Sequence, residues 1–166
     1  MNSVIVRYLH FSLLLLAVSL GTNASPDLKR INLIVSDLDR SLEIYRDVIG
    51  MEVFEIKNSK KGSYAYDVFN LPEDAEMRYA SMNIGSKTRG FSLTEIKNAE
   101  LPSLDGIKMT TAVIQVEGLR EIYKQIVDMN LNSTAIDEDL TPEGEIFAEF
   151  SFTDYDGHLV VLYELK

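Results

Sequence analysis

Arg30-Ile31-Asn32-Leu33-Ile34-Val35-Ser36-Asp37-Leu38-Asp39-Arg40-Ser41-Leu42-Glu43-Ile44-Tyr45 is the stretch that decides the fold. Ile31, Leu33 and Val35 alternate with Arg30, Asn32 and Ile34, the period of two expected from a strand with two different faces. Residues 36–39 read as a helix start, with a hydroxyl to cap free amides and an acid near the positive end of the helix dipole. Leu38, Leu42, Tyr45 and Ile49 then recur at helical spacing, and Gly50 supplies the stop.

Working outward, residues 51–57, 77–84 and 90–97 read as three further strands, with a turn at Lys60-Lys61-Gly62 and a glycine-bounded loop from Gly85 to Gly90. The connection 60–76 is longer than a tight turn and carries Tyr64, Tyr66 and Phe69. It is either a candidate lid over a pocket or an extra edge strand. The order then starts again. Residues 110–116 alternate, Leu119, Ile122, Tyr123 and Ile126 share one helical face, and strands are expected at 133–137, 147–152 and 159–165, with a turn at Asp156-Gly157. Laying Val35 on Val116 and Leu38 on Leu119 gives the same offset across strand and helix, which marks an internal duplication. Neither unit covers its own sheet face, so the two share one core. One domain, residues 25–166, is therefore expected, with modules at about 28–97 and 107–166 and a linker from Pro102 to Gly106.

Cysteine is absent, which excludes disulfides, thiolate metal sites and a cysteine nucleophile. The formal charge of −10 argues against a nucleic-acid partner, since there is no basic surface to neutralise phosphates. Ahead of the domain, Arg7 precedes an apolar run, residues 11–20, and Ala24 closes a small-residue cleavage site. That is the layout of a secretory signal peptide, residues 1–24, rather than a membrane anchor: ten residues rise only about 15 Å along a helix. The mature protein is then expected to be exported, periplasmic or secreted, without a stable membrane anchor, and to lose His10 with the leader. The lack of cysteine fits a bacterial periplasm better than a disulfide-rich exterior.

The quoted stretch, together with Asp154-Tyr155-Asp156-Gly157-His158-Leu159-Val160-Val161-Leu162-Tyr163-Glu164, resembles the opening and closing motifs of the vicinal-oxygen-chelate superfamily, the glyoxalase, bleomycin-resistance and dioxygenase proteins. The resemblance spans essentially all of residues 28–166. It implies an α+β fold of two tandem βαβββ modules forming a curved eight-stranded cleft with the helices outside. In the family a divalent metal sits in that cleft on histidines and glutamates. Matched to this sequence, the four ligand positions fall on Arg30, Glu95, Thr111 and Val161. Arginine and valine cannot ligate and a threonine hydroxyl is a poor ligand, so no metal cofactor is expected. His158 follows the last turn and is expected to face away from Val161.

Strand parity sends Arg30, Asn32, Phe91, Leu93, Glu95, Thr111, Val113, Gln115, Val161 and Tyr163 towards the cleft. In that arrangement Arg30 and Glu95 are expected to pair in place of the metal. The leading functional expectation is a metal-free protein that binds a small organic molecule, as in the sequestering branch of the superfamily. The alternative is a lyase, isomerase or epimerase of the glyoxalase kind with Glu95 as catalytic base, although Arg30 beside it would lower its basicity. A third reading is a protein-interaction domain whose cleft is filled by its own side chains. Family members also dimerise, and a homodimer is compatible with the sequence.

Overall fold

The structure, a computed structural model, describes residues 27–166; the expected leader, with Arg7, His10 and Ala24, lies outside the described residues. The chain runs β1 (Ile31–Val35), α1 (Leu38–Leu42), β2 (Val53–Asn58), α2 (Tyr64–Val68), β3 (Glu76–Ile84), β4 (Lys87–Lys97), β5 (Thr111–Gln115), α3 (Leu119–Asp128), β6 (Asp137–Leu140), β7 (Ile146–Thr153) and β8 (Leu159–Leu165). A π-helical stretch, Glu43–Val48, prolongs α1, and Gly50 ends it with a φ of 84°, where a side chain is disfavoured.

The strands form two four-stranded sheets of identical topology, β1-β4-β3-β2 and β5-β8-β7-β6. In each, the first strand lies parallel to the last and the other pairings are antiparallel. This is the duplicated βαβββ arrangement, and it carries the curved-cleft architecture with α1 and α3 on the opposite side. The sixth strand begins at Asp137 rather than Ser133, which makes only an isolated bridge to Phe152.

One core serves both modules. Ile31, Leu33 and Val35 of β1 and Phe91 and Leu93 of β4 point to the side on which α1 packs. Ala112, Ile114, Phe150, Phe152, Val160 and Leu162 do the same beneath α3, whose Leu119, Ile122 and Ile126 close the layer. The ring of Tyr45 lies 5.1 Å from that of Phe91, and Tyr123 meets Phe150 edge-on at 5.0 Å. Side chains alternate across a strand, so this core side fixes which residues occupy the opposite, open face: Asn32, Ile34, Ser92, Thr94 and Ile96 in the first sheet, Thr111, Val113, Gln115, Val161 and Tyr163 in the second.

Three hydrogen bonds tie the modules together. The Tyr45 hydroxyl donates to Asp154 Oδ2 at 2.8 Å, the Ser36 amide to Asp156 Oδ1 at 3.0 Å, and His158 Nε2 to the carbonyl of Ile34 at 2.7 Å. His158 is thus a half-buried link between modules. The helix cap also differs from expectation: Asp37, not Ser36, accepts the Arg40 amide, at 3.1 Å, while the Ser36 hydroxyl accepts from the Arg40 guanidinium.

Candidate functional site

The residues expected to line one cleft fall into three places. Arg30 and Asn32 stand on the open face of the first sheet, as expected, and both line a cavity of about 510 Å³ there. Thr111, Val113, Gln115, Val161 and Tyr163 are on the open face of the second sheet and do not line that cavity. The Thr111 hydroxyl is turned to the Leu159 carbonyl at 2.9 Å. Phe91, Leu93 and Glu95 point to the helix side instead, which corrects the parity expected for β4.

Glu95 shows why. Its row, Phe91-Leu93-Glu95, is apolar until it reaches the N-terminus of α1, where free amides need an acceptor. There Glu95, only 6% exposed, accepts the Leu38 amide at 3.0 Å. Arg78 Nε and Lys97 Nζ stand 3.5 Å from its oxygens, and Arg78 also binds Asp39 at 2.7 Å. The second module repeats the device: Glu164 accepts the amides of Gly118 at 2.5 Å and Leu119 at 3.4 Å. Leu38 and Leu119 were already paired by the internal duplication, so Glu95 and Glu164 are equivalent residues with a structural role. The same register makes Ser92, opposite Asn32, the counterpart of Val161, opposite Val113. The fourth family ligand position therefore belongs to Ser92.

The expected Arg30–Glu95 pair does not form. Val35 faces Glu95 across the ladder and Ile31 faces Phe91, which separates Arg30 from Glu95 by five strand positions, roughly 16 Å. They also project to opposite faces.

The cavity is built from the first module alone. Its floor is the open face of the sheet, with Asn32, Tyr79, Ser81, Ser92 and Thr94. In connection 60–76 the chain forms a short helix, Tyr64–Val68, rather than a strand. Tyr66 is buried and its hydroxyl donates to the Ala75 carbonyl at 3.1 Å, anchoring α2 over Met77, Ile96 and Ile34. Tyr64, Ala65 and Phe69 line the cavity from above, and Tyr64 is 82% exposed, as a residue at its mouth would be. Of the three aromatic residues named for a lid, Tyr64 and Phe69 border the cavity and Tyr66 is packed into the apolar cluster beside it.

Its polar chemistry is one-sided. Ser92 and Thr94 both donate to Asn32 Oδ1, at 2.6 and 2.8 Å, which leaves the amide NH₂ of Asn32 as the group on offer. Ser81, 1% exposed, has a hydroxyl with no partner. Arg30 forms no ion pair among the described residues. Arg89 lies over the Phe54 ring at 4.1 Å, and Glu55, the cavity's one acid, is held by Lys57 at 2.5 Å, which pulls its carboxyl below the usual range. Ser81, Ser92, Thr94, Tyr79 and Arg89 were not singled out from sequence. The alternation Phe91-Ser92-Leu93-Thr94 was the available signal, read with the apolar residues towards the core.

The family's metal does not fit this donor set. Arg30, Ser92, Thr111 and Val161 at the ligand positions offer no carboxylate, thiolate or imidazole, and among the described residues no three histidine or acidic side chains converge.

A protein of two βαβββ modules with a cavity on one open sheet face belongs, by architecture, with the chelate-type fold proteins. The chain is a member of the glyoxalase/bleomycin resistance protein/dioxygenase superfamily, whose family model matches residues 27–162. Among solved structures it is similar to a glyoxalase family protein from Bacillus cereus, with 16% identity over 86% of this chain and 97% of that one and a TM-score of 0.64. A fosfomycin resistance protein from Listeria monocytogenes is 17% identical over 84% and 93%, TM-score 0.53. The trypanothione-dependent glyoxalase I of Leishmania major is 20% identical over 84% and 87%, TM-score 0.53. At such identities these neighbours establish the fold alone. No curated protein matches the chain.

Proposed function

We propose that the protein binds a small organic molecule in the cavity of the first module, without a metal. The observation that carries this is the cavity itself: about 510 Å³, within the range of small-molecule sites, with a polar floor and apolar and aromatic walls. Catalysis with Glu95 as base loses its support, because that carboxylate serves the start of α1 on the far side of the sheet.

Two measurements test the reading. Native mass spectrometry of protein isolated from its own source should show a bound organic ligand, and elemental analysis should show no stoichiometric transition metal. One equivalent of zinc, nickel, iron or manganese, lost on Arg30→Ala or Ser92→Ala, would overturn the metal-free part. Export is part of the proposal and rests on Arg7, the apolar run 11–20 and Ala24. The N-terminus of the mature protein is expected at Ser25. An intact Met1 on the major cellular form would contradict it.

A further inference from the structure

We infer that the ligand is a carboxylate with an apolar body, its carboxylate held by Arg30 and the NH₂ of Asn32. The inference rests on the binding proposed above and names the class of molecule bound. Its basis is the imbalance of hydrogen-bonding groups around the cavity. The acceptor on Asn32 is already used twice, by Ser92 and Thr94, so Asn32 presents donors only. Arg30 brings the forked donors of a guanidinium that forms no ion pair among the described residues.

Charge points the same way. The chain has a formal charge of −10, yet this cavity is lined by two arginines against one acid, and that acid is neutralised by Lys57. A local positive excess in an acidic protein selects anions at that spot. Arg89 lies over the face of Phe54 and keeps its charge, and Arg30 is the cation beside the free donors of Asn32. The planar fork of Arg30 matches one carboxylate in bidentate fashion. The rest of the lining, Tyr64, Ala65, Phe69 and Met77, is apolar or aromatic and accommodates a hydrocarbon or aryl body. Arg30 thus occupies a position where relatives of this fold use a histidine to hold a metal, and supplies a fixed cation directly to the ligand.

The test is calorimetric titration of the purified protein with matched pairs: benzoate and benzamide, phenylacetate and phenylacetamide, octanoate and octanamide. At least one acid is expected to bind saturably and at least tenfold more tightly than its amide. Arg30→Gln should weaken that acid at least tenfold and leave its amide unchanged, with the melting temperature of the variant confirming that it is folded. Asn32→Ala should weaken the acid by a smaller factor. Amides that bind as tightly as their acids, or an acid whose affinity survives Arg30→Gln, would overturn the carboxylate assignment while leaving small-molecule binding intact. Failure of every acid and every amide to bind would overturn both.

Discussion

Glu95 illustrates how one side chain can be read two ways. On sequence it is the acid at a family metal position; in the folded chain it is the acceptor that the start of α1 requires. The two roles predict different phenotypes. A capping carboxylate that is 6% exposed and flanked by Arg78 and Lys97 should matter to stability and not to ligand binding. Glu95→Ala strips the Leu38 amide of its partner and is expected to cost about 2–3 kcal/mol. Glu95→Gln keeps a carbonyl oxygen and should cost less. Urea denaturation measures both, and Glu164→Ala should reproduce the alanine effect more weakly at its more exposed site. Unchanged stability in Glu95→Ala would return the residue to the list of functional candidates. Arg30, by contrast, lines the open-face cavity, on the side that strand alternation gives it.

At the scale of elements, the quoted stretch contained most of what was needed. Strand β1, helix α1, the stop at Gly50 and their repetition in β5 and α3 were legible because each rests on local periodicity. Connection 60–76 was not. Its few aromatic residues fit a strand or a lid equally well until Tyr66 is seen buried against Ala75, Met77 and Ile96, a contact that only the tertiary fold supplies. The face of β4 was misjudged for a related reason: a single buried acid at the end of an apolar row imitates a polar row. The cap of α1 gives a prediction at this level. Asp37 accepts the Arg40 amide, and that hydrogen bond first, with smaller help from nearby cations, holds its carboxyl below the usual aspartate range. Its contribution is therefore complete above the unfolded value of about 3.9 and is lost as pH falls through the lower folded value. Asp37→Ala is expected to cost about 1 kcal/mol at neutral pH. The gap from the parent should close in acid, measured by urea denaturation at pH 7 and pH 3, and a gap independent of pH would refute the assignment.

For the whole molecule, the question is what holds two similar modules in one orientation. The two motifs that carry the family resemblance meet here: Tyr45 closes the first and Asp154 opens the second, and they are hydrogen-bonded at 2.8 Å. Asp154, 5% exposed, uses its other oxygen on the amides of Asp156 and His158, at 3.0 and 2.8 Å. The tight Asp-Tyr-Asp-Gly turn and the seating of that turn on the first module are thus one hydrogen-bonded unit. Tyr45→Phe keeps the ring against Phe91 but leaves a buried carboxylate oxygen without a donor, a loss of about 1–3 kcal/mol. The pH dependence identifies the cause. Burial first, and the adjacent Asp154 carboxylate second, push the Tyr45 hydroxyl well above its usual range. A group whose folded value is raised contributes fully below its unfolded value, about 10 for tyrosine, and loses that contribution as pH climbs towards the folded value. The parent should therefore lose stability above pH 10 faster than Tyr45→Phe does. Urea titrations at pH 7 and pH 11 should show the difference between the two proteins shrinking on the alkaline side. A difference that stays constant would mean that Tyr45 acts through packing alone and that the hydroxyl does not join the modules.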